Sequence, residues 1–259
     1  MLKLCYFIVY REIREFGEMA QQYQTNAINI HSYNLSENDK IIVMYSKDNG
    51  IIRCVAKGVK KPKSKLGGRM DLLINNNLIL SKGKNLDIVS QAEVLNGFKH
   101  IRLDFTRLGL AIYCAELVGI FGVENDPNSE LIYKLILDTL GKIDETSGKS
   151  NLLKIVMNFQ LELMNIAGYK LATNHCSICG KPYNENFRFS ISTGGMICEH
   201  CKSFSGISPL KTKQIYAVLN NTEEGQILAN QEYCFDVMKD YISYHSDKKI
   251  KTHSFLSII

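Results

Sequence analysis

With 259 residues, 45% of them apolar and 22% charged, the chain has the make-up of a folded globular protein, which excludes a disordered chain. The length allows one large domain or two to three small ones, and no run approaches the roughly 18 apolar residues needed to span a bilayer. The net charge of +5 is modest but uneven: from Lys40 to Arg69 nine Lys or Arg face one acid, Asp48, so this window carries +8 and the remainder −3. A local basic face on a near-neutral protein points to a specific polyanion contact.

The chain opens with MLKLCYFIVYREIREFGEMA. Its apolar stretch is short, runs into Arg11, Glu12, Arg14 and Glu15, and lacks a small-residue cleavage site, so it does not read as a secretion signal. A cytoplasmic protein is expected. Met19 offers an alternative start, and residues 1–25 are assigned to an N-terminal extension.

From residue 26 to 98 the texture is strand-like. Strands are expected over 27–33, 40–46, 51–57, 72–80 and 86–95, separated by the turns Ser36-Glu37-Asn38-Asp39, Asp48-Asn49-Gly50 and Lys82-Gly83-Lys84-Asn85. Asn49-Gly50 between two apolar runs is a strong hairpin signal. Five short strands in about 70 residues favour a small barrel of the oligonucleotide-binding type, the OB-fold, though an SH3-like barrel fits the pattern nearly as well.

After Phe98 the period changes. In 101–121, Leu103, Leu110, Tyr113, Leu117 and Ile120 recur at helical spacing. NDPNSE (125–130) introduces a second helix, residues 152–169 give a third ending near Gly168, and two more follow the cysteine-rich stretch, the first capped by Ser208-Pro209. The fold class expected is α+β: an N-terminal OB-fold β-barrel, a helical domain over 99–173 and 204–259, and an inserted four-cysteine zinc module over 174–203.

That module carries the most specific signal. Cys176 and Cys179 form one CxxC and Cys198 and Cys201 another, with 18 residues between, inside the spacing of a four-thiolate zinc site. Gly180 permits a tight knuckle, and Thr193-Gly194-Gly195 suits a hairpin. Four thiolates close the tetrahedron, so one structural ion without an activated water is expected. His175 and His200 adjoin the thiols and are read as flanking residues. A redox dithiol is disfavoured by the paired spacing, and a zinc deaminase by the absence of Glu two places after any histidine. Cys5, Cys54, Cys114 and Cys234, set among apolar neighbours, read as buried hydrophobes.

Nucleotide loops of the G-x-x-x-x-G-K-[ST] and G-x-G-x-x-G types are absent, as is a G-x-S-x-G elbow, and no catalytic set emerges, so a non-enzyme is expected. The stretch VAKGVKKPKSKL (55–66) places Lys57, Lys60, Lys61, Lys63 and Lys65 in nine positions without an acid. Alone it reads equally as a solvated loop or a polyanion contact. Following a barrel strand with Arg53, interrupted by Pro62 and followed by Arg69, it becomes the candidate DNA-phosphate surface. Lysine favours phosphate contact without base readout. Tyr33 and Tyr45 are candidate stacking platforms.

Several stretches together resemble the RecO family of bacterial recombination mediators of the RecF pathway. They are LSENDKIIVMYSKDNGIIRCVAKGVKKPKSKL (35–66), AELVGIFGVENDPNSELIYKLILDTL (115–140), FQLELMNIAGYKLATNHCSICGK (159–181) and YISYHSDKKIKTHSFL (241–256). The likeness runs in order from about residue 26 to 256. It implies an OB-fold domain, a helical domain and a zinc module, binding of single- and double-stranded DNA, and annealing of complementary strands. It also implies RecR and the acidic, apolar C-terminal tail of single-strand-binding protein as partners, and help in placing RecA on coated DNA. The competing reading of the residues is a zinc-ribbon RNA-binding or protein-interaction adaptor.

Overall fold

The computed structural model describes residues 21–201, 206–219 and 227–256. The alternative start at Met19, Cys5, and residues 202–205, 220–226 and 257–259 of the expected cysteine and helical units lie outside them.

Five strands make a closed barrel: β1 (Gln22–Asn34), β2 (Lys40–Ser46), β3 (Gly50–Ala56), β4 (Asn75–Ser81) and β5 (Asp87–Asn96). The order around it is β1-β2-β3-β5-β4, with β4 pairing back onto β1 and the β3–β5 contact parallel. This is the OB-fold arrangement. Because side chains alternate along a strand, Ala27, Ile42, Met44, Ile52, Cys54, Leu78, Leu80 and Val89 fill the interior. Val59 and Met70, from the long connection between β3 and β4, complete that core.

β1 starts earlier than its apolar run suggests. Gln22–Thr25, assigned from sequence to the extension, pair with Leu78–Ser81 of β4. Gln22 and Gln24 point outward, where Gln24 donates to Asn77 at 2.8 Å, and Thr25 is buried, so hydropathy alone gave no strand signal there.

The outward side chains Ile28, Ile30, Val43, Tyr45 and Ile51 join a second core shared with the helices. These are α1 (Phe105–Phe121), α2 (Ser129–Glu145), α3 (Lys149–Ile166), α4 (Pro209–Leu219), α5 (Ile227–Tyr244) and the short α6 (His253–Leu256). α1 begins four residues later than its periodicity implies. Ile101–Leu103 form a 3-10 turn, and the Asp104 carboxylate then accepts the Arg107 N–H at 2.7 Å as an N-cap. α3 ends where Gly168 takes φ +89, a conformation that favours glycine. Within this core Gln160 donates to the Tyr113 hydroxyl at 2.7 Å. Among the described residues no helix is long and apolar enough to cross a membrane.

Between α3 and α4 lies the cysteine module, with a hairpin of β6 (Arg188–Ser190) and β7 (Gly195–Ile197) turning through Gly194 at φ +68. Phe187, Phe189, Met196 and Ile197 enter the helical core, and Phe189 N–H donates to Thr212 Oγ1 at 2.8 Å. The module is packed onto the helices.

Candidate nucleic-acid interface and metal centre

The lysine-rich segment is a turn-rich connection ending in the 3-10 turn Gly67–Met70, and it is fixed at both ends. At the start, Gly58 N–H donates to Asp39 Oδ1 at 2.7 Å and Lys60 N–H to Asn38 O at 3.1 Å. That Gly58 hydrogen bond holds the Asp39 carboxyl below its usual range, helped by Ser36 and by the nearby charges of Lys57 and Lys61. At the far end two buried amides meet one carbonyl: Asn29 Nδ2 donates to Arg69 O at 2.9 Å and to Asp71 O at 2.8 Å, and Asn76 Nδ2 to Arg69 O at 2.8 Å. Neither asparagine stood out in the sequence. Both lie in β strands whose pattern says only that they are polar.

The seven candidate cations are not equivalent. Lys60 Nζ turns back to Ser36 O at 2.9 Å, and the Arg69 guanidinium donates to Lys65 O. Arg53, on the outside of β3, is paired with Glu124 from the connection between α1 and α2. Lys57, Lys61, Lys63 and Lys65 are exposed, and among the described residues their ammonium groups have no ion pair or hydrogen bond. These four carry the loop's charge without a close partner, with Lys57 and Lys61 within electrostatic reach of Asp39.

Strand register extends the surface onto the barrel. Tyr33, Ile41 and Val55 form one cross-strand row on the outer face, and His31, Val43 and Arg53 form the next. Tyr33 is 53% exposed, and its ring meets His31 edge-on at 4.4 Å. The turn that follows Tyr33 is the one that holds Lys60. Tyr45 is excluded as a platform. It lies on the same outer face but under the helices, fully buried, with its hydroxyl donating to Asp126 Oδ2 at 2.9 Å. Burial and Asp126 push its hydroxyl well above the usual tyrosine range, so it stays a neutral donor. His31 is an aromatic the sequence reading missed, and its exposed i,i+2 relation to Tyr33 was the available signal.

The four cysteines come together as their spacing predicts. Their sulfurs all lie within 4.8 Å of one another, and neither His175 nor His200 belongs to the group. Cys179 and Cys198 Sγ are 3.7 Å apart. A disulfide needs about 2.05 Å, whereas thiolates on a tetrahedral ion at about 2.3 Å stand about 3.8 Å from each other. Each knuckle closes locally, by Gly180 N–H to Cys176 O at 2.9 Å with Gly180 at φ +74, and by Cys201 N–H to Cys198 O at 3.1 Å. Burial raises the Cys176 thiol, but the N–H groups of Cys198, Cys179 and Ile178 outweigh it and bring it down to about 6. Hydrogen bonds with Cys179 and Cys198 push Cys201 up to about 12. So many thiols in one place cannot all ionise without a cation among them, which is what a closed metal site supplies.

The helical unit also holds a cleft of roughly 480 Å³. Ile120, Phe121, Ile132 and Ile166 give it apolar walls, and His245 and Lys248 stand among its polar residues.

Two family models match the chain: "Recombination protein O N terminal" over residues 19–98 and "Recombination protein O C terminal" over residues 102–253. The DNA repair protein RecO of Pelotomaculum thermopropionicum is 30% identical over 244 residues, 90% of this chain and 93% of that protein. The RecO protein of Desulforamulus reducens is similar to the same extent. That of Acetivibrio thermocellus is 33% identical over 178 residues, 69% of this chain and 70% of that one. The two family models matched in succession, and relatives 30% identical over nearly the whole chain, place this chain in the RecO family of DNA repair proteins.

Proposed function

We propose that the chain is a non-enzymatic DNA-binding mediator. It holds single- and double-stranded DNA by the phosphate backbone and brings complementary strands together for annealing. The observation that carries this is the pinned loop, which presents Lys57, Lys61, Lys63 and Lys65 exposed and without a close hydrogen-bond or ion-pair partner on a barrel whose outer face also exposes Tyr33. Flexible ammonium groups suit phosphate, and an aromatic beside them suits any base, so sequence preference should be slight. Neutralising charge on two strands at once lowers their mutual repulsion, which is the physical core of annealing.

The cysteine group is best read as a structural zinc site held by Cys176, Cys179, Cys198 and Cys201, since four thiolates leave no open position. Its task is to keep the β6–β7 hairpin folded against α4. The family reading further supplies RecR and the acidic, apolar tail of single-strand-binding protein as partners, and assistance in placing RecA on coated DNA in the cytoplasm. The cleft on the helical unit offers apolar walls for the tail's apolar residues, with Lys248 and His245 standing beside the acids Asp126 and Asp247.

Annealing of complementary strands coated with single-strand-binding protein tests the mediator reading. Acceleration by the full chain is expected, together with stronger gel-shift retention of single-stranded DNA than of RNA. Preference for RNA without annealing would favour an RNA-binding adaptor instead.

A further inference from the structure

Arg53 is the one barrel-strand cation that the fold itself supplies with an anion. Its guanidinium pairs with the Glu124 carboxylate, and backbone contacts, more than two mobile side chains, fix that placement. Gly50 and Glu124 form an antiparallel bridge, with Ile51 N–H donating to Val123 O at 2.9 Å and Asn125 N–H to Asn49 O at 2.8 Å. Gly50 makes the approach feasible: it sits at φ +64, and a Cβ there would stand 2.3 Å from Val123 O. The segment from the helical unit is therefore laid against the open edge of β3.

Both partners remain open to solvent, Arg53 at 46% and Glu124 at 64% side-chain exposure. They border a groove of roughly 530 Å³ lined also by Tyr23, Lys82, Asn85 and Asp87. The other acids of this groove have hydroxyl partners: Tyr23 donates to Asp87 at 2.5 Å, and Thr25 to Asp48 at 2.7 Å. Glu124 alone faces the guanidinium. An arginine fork binds carboxylate and phosphate through the same N–H groups, so it cannot hold both fully. Arg53 also shares the outward face of β3 with Val55 and runs toward Lys57, which puts it in line with the lysine loop.

We propose that Glu124 is a built-in competitor for nucleic-acid phosphate at Arg53. The helical unit occupies the guanidinium until a strand displaces it, so part of the barrel's affinity is held back in the free protein. The inference rests on the DNA-binding reading of the barrel and adds a contact that restrains it.

The test is fluorescence anisotropy of a labelled oligothymidylate with the full chain as wild type, Glu124→Gln, Arg53→Gln and the double variant. Glu124→Gln should tighten binding about two- to fivefold, the strength of an exposed ion pair. The gain should vanish in the Arg53→Gln background. No gain, or an equal gain without Arg53, would overturn the competitor and leave only a general charge effect. A Lys61→Glu, Lys63→Glu, Lys65→Glu variant run alongside separates the two ideas. If it loses binding, the DNA reading stands whatever Glu124 does, and if it binds like wild type, both readings fall. Glu124→Ala, which also lacks the charge, should repeat the gain, and a gain confined to one substitution would count against the proposal.

Discussion

Tyr33 and Tyr45 show what a residue's type leaves undetermined. Both are tyrosines on outward-facing positions of barrel strands, yet one is open to solvent and the other has none of its surface exposed. The strands carrying both tyrosines were readable from the sequence, and the register then puts both on the outer face. The covering of half that face by α1 and α2 was not, because those contacts span more than 60 residues of chain. Replacing Tyr33 by Ala should weaken single-strand binding by about 1–3 kcal/mol, the worth of one stacked base, with the melting temperature nearly unchanged. Tyr45→Phe should do the reverse. It removes the donor to the buried Asp126 carboxylate, costing about 1–3 kcal/mol of stability, with DNA affinity of the folded protein preserved. Thermal melting and anisotropy on both variants check the pair.

The elements were legible to different degrees. β2 and β3 follow from two apolar runs around Asn49-Gly50, α1 from its helical repeat, and α2 from the NDPNSE break before it. The connection between β3 and β4 was visible as charge but not as an ordered loop, since its order comes from Asn29, Asn76 and Asp39 on other elements. A second non-local device is α6. Its His253 lies against Tyr113, with ring centroids 5.8 Å apart and a buried Nε2 that has no partner. Burial lowers the His253 pKa, and Lys239 lowers it further against the opposing pull of Glu116, Asp240 and Asp236. Its neutral form is favoured in the fold, so its contribution is complete above the ordinary histidine value of about 6.5. That contribution is lost as pH falls from there through the depressed folded value. Urea titrations from pH 7.5 to 5 should show stability declining over this window, with a shallower decline in His253→Gln. An unchanged decline in that variant would assign the slope to other groups.

At the scale of the molecule, three units cooperate, and the cysteine module was the most legible. Its cysteines come from two local pairs, so spacing alone was enough to bring four sulfurs within 4.8 Å. Since metal binding at such a site is folding free energy, Cys176→Ser with Cys179→Ser should lose bound zinc and lower the melting temperature. DNA affinity should be unchanged in this variant at temperatures where the protein stays folded. Metal analysis with calorimetry checks this, and a wild type purified without zinc would refute it. The packing of barrel on helices, and with it the Glu124 contact to Arg53, had no sequence signature, because it depends on a glycine and a loop 74 residues apart.

If the exposed ammonium groups of the barrel loop hold DNA by its phosphates, duplex affinity must fall steeply with salt, and that dependence is the most direct measurement. Four contacts should weaken binding roughly 150-fold between 50 and 200 mM salt, from a slope of about −0.9 per phosphate. Changing Lys61, Lys63 and Lys65 to Gln should flatten that slope by nearly three contacts while the protein remains folded. A slope that stays the same in the variant would contradict the assignment of the loop as the DNA contact.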